Sequence, residues 1–259
     1  MSRLVTRTSM HLVVLLAATF MVTAAYGESV SSAVAAAVDA EDRWQRDRKR
    51  DLRSKPQAIL TFTGIAPGMT VLDLYSGGGY WAELFARVTG ADGEVVAHTN
   101  TAYRNFAGPL LNSRFGDNRI AGVTVLDSEI NDLMLGHHRF DLIFIGLGYH
   151  DTYFYAGFSP LPGRDRWFEQ LYTALKPGGH IVIVDHAAEQ GTGTAAAQSL
   201  HRIDESFARS DFERAGFTYV GASDALRNPD DDRRMNVFED AIRRKTDRFV
   251  LKFQKIISD

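Results

Sequence analysis

An apolar run that ends in an acid and leads at once into three glycines constrains this chain more than any other feature. Residues 70–80 read TVLDLYSGGGY, with Asp73 near the end of the run and a helical pattern from Tyr80 onward. Glycines between a strand and a helix let the backbone approach a nucleotide-like ligand closely. A dinucleotide-binding G-x-G-x-x-G turn has its acid about 20 residues later. Here the acid comes first, which disfavours a dehydrogenase, and an ordinary βα turn without a ligand is the alternative.

The first 27 residues have the pattern of a secretory signal peptide. Arg3 and Arg7 supply a basic start, residues 12–22 are an apolar core, and residues 25–27 read AYG, small residues of the kind a signal peptidase recognises. The apolar core is short for a membrane span, so an uncleaved anchor is the secondary interpretation. We therefore predict a signal peptide at residues 1–27 and a periplasmic or secreted protein without stable membrane association after cleavage.

Charge and cysteine content narrow the classes of partner and site. Removal of residues 1–27 leaves 27 basic and 32 acidic residues, a net charge of −5, and no basic stripe is evident. Nucleic acid is therefore a poor candidate partner. The chain has no cysteine, which excludes disulfides, thiolate nucleophiles and thiolate metal sites. A chain without cysteine is also compatible with an oxidising compartment.

The remaining chain predicts one α/β domain preceded by a charged helix. Residues 28–56 form a linker and a helix, dense in both charges at 41–53, that ends before Pro56. In residues 57–259, apolar runs alternate with helical patterns for five units and two more strands follow, as in a doubly wound, mostly parallel seven-stranded sheet. The predicted strands are 70–74, 94–99, 122–127, 140–147, 180–186, 217–222 and 248–255, and the main helices are 80–88, 164–175 and 201–215.

Two motifs resemble those of the class I S-adenosylmethionine (SAM) dependent methyltransferases. Residues 70–80 are similar to the first motif of that family, except that Tyr75 stands at its first glycine, while Gly77 and Gly79 match the other two. The sequence LKPGG at 175–179, directly before an apolar strand, is similar to a late signature of the same family. The resemblance implies a Rossmann-like methyltransferase fold with an antiparallel last strand, SAM as cofactor and a small-molecule methyl acceptor.

The same resemblance implies where the cofactor binds. It assigns Asp73, Tyr75 and the glycines Gly77, Gly78 and Gly79 to the cofactor turn. Thr99 and Asn100 occupy the place of the family's ribose-binding acid, and an adenine-facing polar residue is either Asp127 or Glu129. A charged helix ahead of the first strand, here bearing Trp44, Arg50 and Asp51, often lines the substrate entrance in this family.

More narrowly, the chain resembles a group of predicted bacterial methyltransferases that carry secretion signals. The likeness lies in Tyr149-His150-Asp151, in residues 184–186 and 201–204, and in the ending from 226 to 253. The substrate of this group is not established, so the resemblance implies a fold and a cofactor class but no reaction.

Polar residues at strand ends are the candidate catalytic groups, because ligands of doubly wound sheets bind beyond the carboxyl ends of the strands. We predict His150 as the base that takes a proton from an oxygen or nitrogen acceptor, since its ordinary pKa suits that task. Asp151 orients it or replaces it, and Tyr149 and His186 position the acceptor. The alternative for His150 is a residue that caps the helix after strand four.

A metal site is the weaker prediction. His150, Asp151, Asp185, His186 and His201 supply donors for a centre of two histidines and one carboxylate. The metal-dependent catechol-type methyltransferases place an acid where this chain has Gly146, so we predict no metal. Two other functions stay open: an exported metabolite-binding protein without catalysis on the same fold, and a different enzyme that uses the histidine–aspartate cluster. The oligomeric state is not predicted.

Overall fold

The computed structural model describes residues 30–153 and 164–256, with only the backbone of Arg164. Seven strands form one sheet in the order β3-β2-β1-β4-β5-β7-β6. Strands β1 to β5 pair in parallel, and β7 pairs antiparallel with both β5 and β6. The strands are β1 Thr70–Leu74, β2 Glu94–Thr99, β3 Val123–Asp127, β4 Phe140–Gly146, β5 Leu175–His186, β6 Thr218–Ala222 and β7 Arg248–Gln254. The predicted doubly wound sheet with an antiparallel last strand is confirmed.

Helices cover both faces of this sheet. Helix α1 occupies residues 30–39 of the described range. The others are α2 Gln45–Ser54, α3 Pro56–Thr63, α4 Tyr80–Thr89, α5 Thr101–Phe115, α6 Arg164–Ala174, α7 Ala197–Leu200 and α8 Glu205–Arg214, with 3-10 turns at Gly116–Asn118, His150–Tyr153 and Asp224–Leu226. No helix within residues 30–153 and 164–256 is long and apolar enough to cross a membrane. The predicted signal segment lies outside the described residues.

Several helix boundaries differ from the sequence prediction, and one helix was not predicted. The charged helix begins at Gln45 rather than at residue 41, because the preceding turn is held by Arg43, which donates to the Val38 carbonyl at 2.6 Å. Helix α6 ends at Ala174, where strand β5 begins with a register shift against β4. Helix α5 was not predicted at all, since its apolar face is weak and Pro109 lies inside it.

The helix predicted from residue 201 begins four residues later, at Glu205. His201 has a left-handed backbone with φ +54°, and Ile203 forms a bridge with Ala187 at the end of β5. Asp204 then caps α8, its side chain accepting from the Ser206 N–H at 2.8 Å. The stretch from His201 to Asp204 is therefore a connection across the edge of the sheet, and it holds His201 beside the ends of the strands.

The core has two layers because the central strands are buried on both faces. Along β4, Leu142 and Phe144 face the layer under α4, whereas Ile143 and Ile145 face the layer under α6 and α8. Such strands read as continuous apolar runs, which is why the sequence revealed them. Aromatic contacts join the helices to the sheet; the Phe212 ring of α8, for example, stacks on Phe253 of β7 with centroids 4.6 Å apart.

Buried ion pairs fix helix α2 over the carboxyl ends of the strands. The Arg114 guanidinium, 1% exposed, donates to Asp47 of α2 at 2.6 Å and also pairs with Glu83 of α4. A second contact runs from the Tyr80 hydroxyl to Asp51 at 2.6 Å. Because these side chains are largely buried, water does not compete for their hydrogen bonds, and the contacts hold α2 in one position. Helix α2 thus becomes one wall of the site described below.

Candidate active site

A cavity of about 490 Å³ opens at the carboxyl ends of the central strands, where ligands of doubly wound sheets bind. Its size falls in the range of small-molecule sites. The glycine turn after β1, helix α2, the ends of β4 and β5 and the segment before β7 enclose it. The described side chains and glycines on which its chemistry depends are Asp73, Tyr75, Gly77, Gly78, His150, Asp151, His186 and His201, together with arginines at positions 50, 53, 243, 244 and 248.

Asp73 organises the turn between β1 and α4. One oxygen of its carboxylate, Oδ2, accepts from the Ser76 hydroxyl at 2.6 Å and from the Ala82 N–H at 3.0 Å. Burial raises the pKa of Asp73 to about 7, against the lowering effect of these two hydrogen bonds. The acid that precedes the glycines therefore has a structural role that is visible without a ligand: it fixes the turn to the start of the helix.

The three glycines of the turn have different surroundings. Gly77 has φ +57°, and a Cβ there would meet no atom within 4 Å, so its backbone faces open space in the cavity. A Cβ on Gly78 would lie 2.4 Å from Leu110, and one on Gly79 would lie 2.5 Å from Phe115. Gly77 thus leaves room for a ligand, whereas Gly78 and Gly79 let helix α5 pack against the turn.

Tyr75 adopts the left-handed backbone that a glycine would favour, with φ +57°. Its ring stacks on Tyr103 with centroids 5.1 Å apart, and its hydroxyl accepts from the Trp167 Nε1–H at 3.0 Å. The side chain is 4% exposed, so most of it belongs to the core rather than to the cavity it borders. These contacts hold a conformation that is unfavourable for a residue with a Cβ.

The four residues predicted to bind ribose and adenine make other contacts. Thr99 is buried, and the Asn100 side chain caps helix α5 by accepting from the Tyr103 N–H at 2.9 Å. Asp127 pairs with an arginine of α5 at the surface, and Glu129 accepts from the Thr101 hydroxyl at 2.6 Å. None of the four is among the described residues that line the cavity. Their assignment to the cofactor stays a prediction.

His150 lies between two carboxylates at the end of β4. Its Nδ1 is 2.7 Å from Asp185 Oδ1, its backbone N–H donates to Asp185 Oδ2 at 2.8 Å, and its Nε2 is 3.2 Å from Asp151 Oδ1. Burial alone would lower the pKa of His150, but Asp185 and Asp151 outweigh it and raise the pKa to about 10. The ring is an imidazolium at neutral pH. It therefore lacks the free nitrogen that the predicted role of base requires.

Two neighbouring histidines are neutral instead. Burial, and then the charges of His150 and Arg248, keep the pKa of His186 well below its ordinary value, and its Nδ1 lies 2.7 Å from the Thr246 hydroxyl. Burial and the same His150 charge lower the pKa of His201, whose ring centroid is 5.5 Å from that of His150. His186 and His201 both line the cavity. From the sequence alone, His201 is a candidate metal donor and is not proposed as a base.

Tyr149 is not brought to the cavity. It is fully buried, its hydroxyl donates to Asp211 of α8 at 2.7 Å, and its ring packs 5.3 Å from that of Phe212. The side chain next to His150 in sequence therefore points into the core under α8. Of the entrance residues on α2, Arg50 lines the cavity, whereas Asp51 pairs with Arg43 at 2.8 Å.

A set of metal-ligand atoms is present, but its surroundings oppose a cation. One side-chain donor atom each of His150, Asp151 and His201 lies within 4.8 Å of the others. His150 and His201 would have to offer unprotonated nitrogens. Because two carboxylates hold His150 protonated, a divalent ion would have to displace that proton, and it would share the cavity with five arginines.

Comparison with known proteins finds sequence relatives for part of the chain and solved structures with a similar fold. The chain matches no protein-family model. It is 29% identical over 124 residues to the ubiquinone/menaquinone biosynthesis C-methyltransferase UbiE of Idiomarina loihiensis, an alignment of 48% of this chain and 45% of that protein. The chain therefore spans about half the length of the curated relative it matches.

Solved structures match a larger share of the chain. A SAM-dependent methyltransferase from Aquifex aeolicus superposes with a TM-score of 0.56 at 21% identity, covering 78% of this chain and 89% of its own. The [4+2]-cyclase SpnF superposes with a TM-score of 0.53 at 16% identity, covering 85% and 86%. At these identities the likeness concerns the fold, which in SpnF carries a different chemistry. The chain has the Rossmann-like fold of the SAM-dependent methyltransferases.

Proposed function

We propose that this protein is a SAM-dependent methyltransferase that acts on a small molecule. The observation that carries the proposal is the open space over Gly77, between the buried Asp73 and the histidine cluster, within a cavity at the carboxyl edge of the sheet. The chain also shares 29% sequence identity over 124 residues with a curated C-methyltransferase. This sequence similarity supports the same class of enzyme, independently of the similarity in fold.

The residues of the turn fit the cofactor that this fold implies. Asp73 and the backbone at Gly77 would hold SAM, whose bound sulfonium supplies an electrophilic methyl group. No side chain fills the space above Gly77, as a Cβ placed there shows. Tyr75 narrows the turn on the side of α5, where its ring stacks on Tyr103.

Proton transfer falls to His201 or His186 rather than to His150. A base must be unprotonated before it accepts a proton, and the pKa of each of these two rings is lowered by burial and by the adjacent His150 charge. His201 is the better candidate because its ring lines the cavity beside His150 and packs against the exposed Phe238 at its rim. His150, held by Asp185 and Asp151 through both ring nitrogens, would fix the position of Asp151, and its charge keeps the His201 ring neutral.

Cofactor binding is tested by calorimetric titration of residues 28–259 with S-adenosylhomocysteine. The wild-type protein should bind in the micromolar range, about −8 kcal/mol. Asp73→Asn should weaken binding at least about tenfold, because the neutral side chain no longer holds the turn by charge-assisted hydrogen bonds. The matched control is Asp92→Asn in an exposed turn, which should bind like the wild type. Absence of binding at millimolar ligand would contradict the proposal.

Turnover is tested with SAM labelled on the methyl group and a panel of small acceptors. His201→Asn should leave the affinity for S-adenosylhomocysteine unchanged. It should slow methyl transfer on the order of a hundredfold or more, the usual contribution of a general base. His137→Asn, in an exposed loop before β4, is the matched control. Equal rates for His201→Asn and the wild type would remove His201 as the base.

Two observations favour a second candidate, a metabolite-binding protein without catalysis on the same fold. Tyr75 stands in the left-handed position of the turn, and the residues at the end of β2, Thr99 and Asn100, carry no charge. Binding of S-adenosylhomocysteine without methyl transfer to any acceptor would favour this candidate. A different His/Asp-based enzyme on the fold would bind neither SAM nor its product.

We further propose that residues 1–27 direct export and are removed, as in the group of predicted methyltransferases with secretion signals. The basic start, apolar core and small residues at 25–27 support this. Since SAM is made in the cytosol, an exported enzyme needs a supply of it outside. N-terminal sequencing of protein recovered from a bacterial periplasm should give Glu28 as the first residue. Full-length protein retained in the cytosol would contradict export.

A further inference from the structure

The cavity contains a concentration of positive charge that the chain does not neutralise. Five arginines line it, at positions 50, 53, 243, 244 and 248. Within the described ranges none of the five forms an ion pair with a carboxylate, although most other arginines there do. The acids lining the cavity are Asp73, with a raised pKa, and Asp151, which already contacts His150. This is notable in a chain whose overall charge is −3.

The arginines come from two segments that the fold joins. Strand β7 runs antiparallel to β5, so Arg248 at its start lies opposite His186 at the end of β5. The Arg248 Nη2 donates to the Arg53 backbone carbonyl at 2.6 Å, which ties β7 to helix α2 across 195 residues of chain. The Arg248 Nε is buried and has no hydrogen-bond partner among the described residues. A buried cationic donor without a partner is costly unless a ligand supplies an acceptor.

Repulsion among these arginines makes the protonated form of Arg248 less favourable. Burial lowers the pKa of Arg248 to about 10, and the charges of Arg50 and Arg53 lower it further in the same direction. The Arg50 guanidinium lies 4.0 Å from the centroid of the Tyr80 ring, which offsets only part of its charge. An anion in the cavity would relieve this repulsion. SAM would not, because its sulfonium and ammonium groups outnumber its single carboxylate.

Apolar and aromatic side chains form another part of the cavity wall, beside polar residues such as Ser54 and Thr246. Phe106 and Phe238 are 81% and 55% exposed, and the Phe238 ring packs 4.9 Å from that of His201. Exposed aromatic side chains at the mouth of a cavity are typical of ligand contact. The cavity therefore combines a cationic wall of arginines with an aromatic rim beside the neutral histidine.

We propose that the small molecule bound beside the cofactor turn is an anion with an aromatic or apolar body. Its carboxylate or phosphate group is held by Arg248 with Arg53 and Arg244, and its body lies against Phe106 and Phe238. This inference rests on the proposed function, because it names the class of methyl acceptor for the same site. The negative charge of the acceptor would also balance the positive charges of the cofactor and of the arginines that line the cavity.

The test compares 2-naphthoate with its neutral isostere 2-naphthamide, in calorimetric titrations of residues 28–259 at fixed ionic strength. The naphthoate should bind on the order of tenfold or more tightly than the amide, as expected for a charge-assisted hydrogen bond. Arg248→Gln should bring the two affinities close together. Arg244→Gln, in an exposed residue, should reduce the ratio without disturbing the fold, so the test stands even if the Arg248 variant does not fold. The matched control, Arg139→Gln before β4, should keep the wild-type ratio.

Two results would overturn the inference: equal affinity for both compounds in the wild type, or a preference for naphthoate that survives both arginine substitutions. Titration with S-adenosylhomocysteine separates this from a failure of the proposed function. If S-adenosylhomocysteine binds and the naphthoate preference is absent, the proposed anion site is wrong and the proposed cofactor site stands. If the naphthoate preference is present and S-adenosylhomocysteine does not bind, the cavity recognises an anion and the methyltransferase proposal fails.

Discussion

Asp185→Asn isolates the interaction that makes His150 an imidazolium. Asp185 is fully buried, and it contacts both the ring and the backbone N–H of His150. The pKa of His150 rises from its ordinary 6.5 to about 10. At about 1.4 kcal/mol per pKa unit, this difference corresponds to about 5 kcal/mol of stabilisation as an upper value.

The sign of the pH dependence follows from proton binding. The folded protein binds this proton more tightly than the unfolded chain, so the contribution is complete below pH 6.5 and is lost as pH rises to about 10. Asp73 acts at lower pH: its pKa is raised from 3.8 to about 7, so its ionisation lowers stability within that window. The range from pH 7.5 to 10 therefore reports mainly on His150, and Arg248, whose pKa is lowered to about 10, contributes at its upper end.

Urea unfolding, followed by tryptophan fluorescence between pH 7.5 and 10, measures the effect. The free energy of unfolding of the wild type should fall with pH, and Asp185→Asn should be less stable by about 3–5 kcal/mol near pH 7.5, the cost of breaking a buried ion pair. The two curves should approach each other toward pH 10, where wild-type His150 has lost about half of its protonation. Asp92→Asn should follow the wild type. Parallel curves for wild type and Asp185→Asn, or a wild-type His150 that titrates near 6.5 by NMR, would refute the reasoning.

Three further substitutions test the packing that builds the site, each by urea unfolding at neutral pH. Arg114→Met should cost about 3–5 kcal/mol because it leaves the buried Asp47 unpaired and removes one of the three arginines that contact Glu83, whereas Arg139→Met at the surface should cost less than about 1 kcal/mol; equal costs would contradict the buried bridge. Phe212→Ala should cost about 3–5 kcal/mol through the cavity it leaves, and a cost below about 1 kcal/mol would contradict its place in the core. Tyr75→Phe should cost about 1 kcal/mol because the Trp167 indole loses its acceptor, and an unchanged midpoint would contradict that hydrogen bond.

Much of the fold follows from local sequence patterns. The strands β1, β2, β4 and β5 are continuous apolar runs because helices cover both of their faces, and the glycine turn at 77–79 identifies the first βα connection. Helix α5 has no comparable signal. Gly108 and Pro109 interrupt its pattern, and its packing against the glycine turn, rather than its own periodicity, holds it in place.

The chemistry of the site was harder to predict, because charge depends on neighbours that sequence does not show. The placement of His150, Asp151 and His186 at strand ends follows from topology alone, and the structure does bring these three to one cavity. The protonation of His150 does not follow, since it depends on Asp185, 35 residues away, and on burial from water. Tyr149 was misjudged for a related reason: its hydroxyl donates to Asp211 of α8, a partner 62 residues away that the sequence does not show.

Local patterns in the sequence identified the seven strands in their order along the chain, and the glycine turn, because each depends on residues near one another in the chain. Only the tertiary structure decided that Arg50 and Arg53 of α2 share a cavity with Arg248 of β7. The antiparallel insertion of β7 beside β5 carries Arg248 to the carboxyl edge of the sheet, and the buried bridge through Arg114 holds α2 over that same edge. Like charges that are distant in the chain leave no local pattern, yet once folded they set what the cavity can bind.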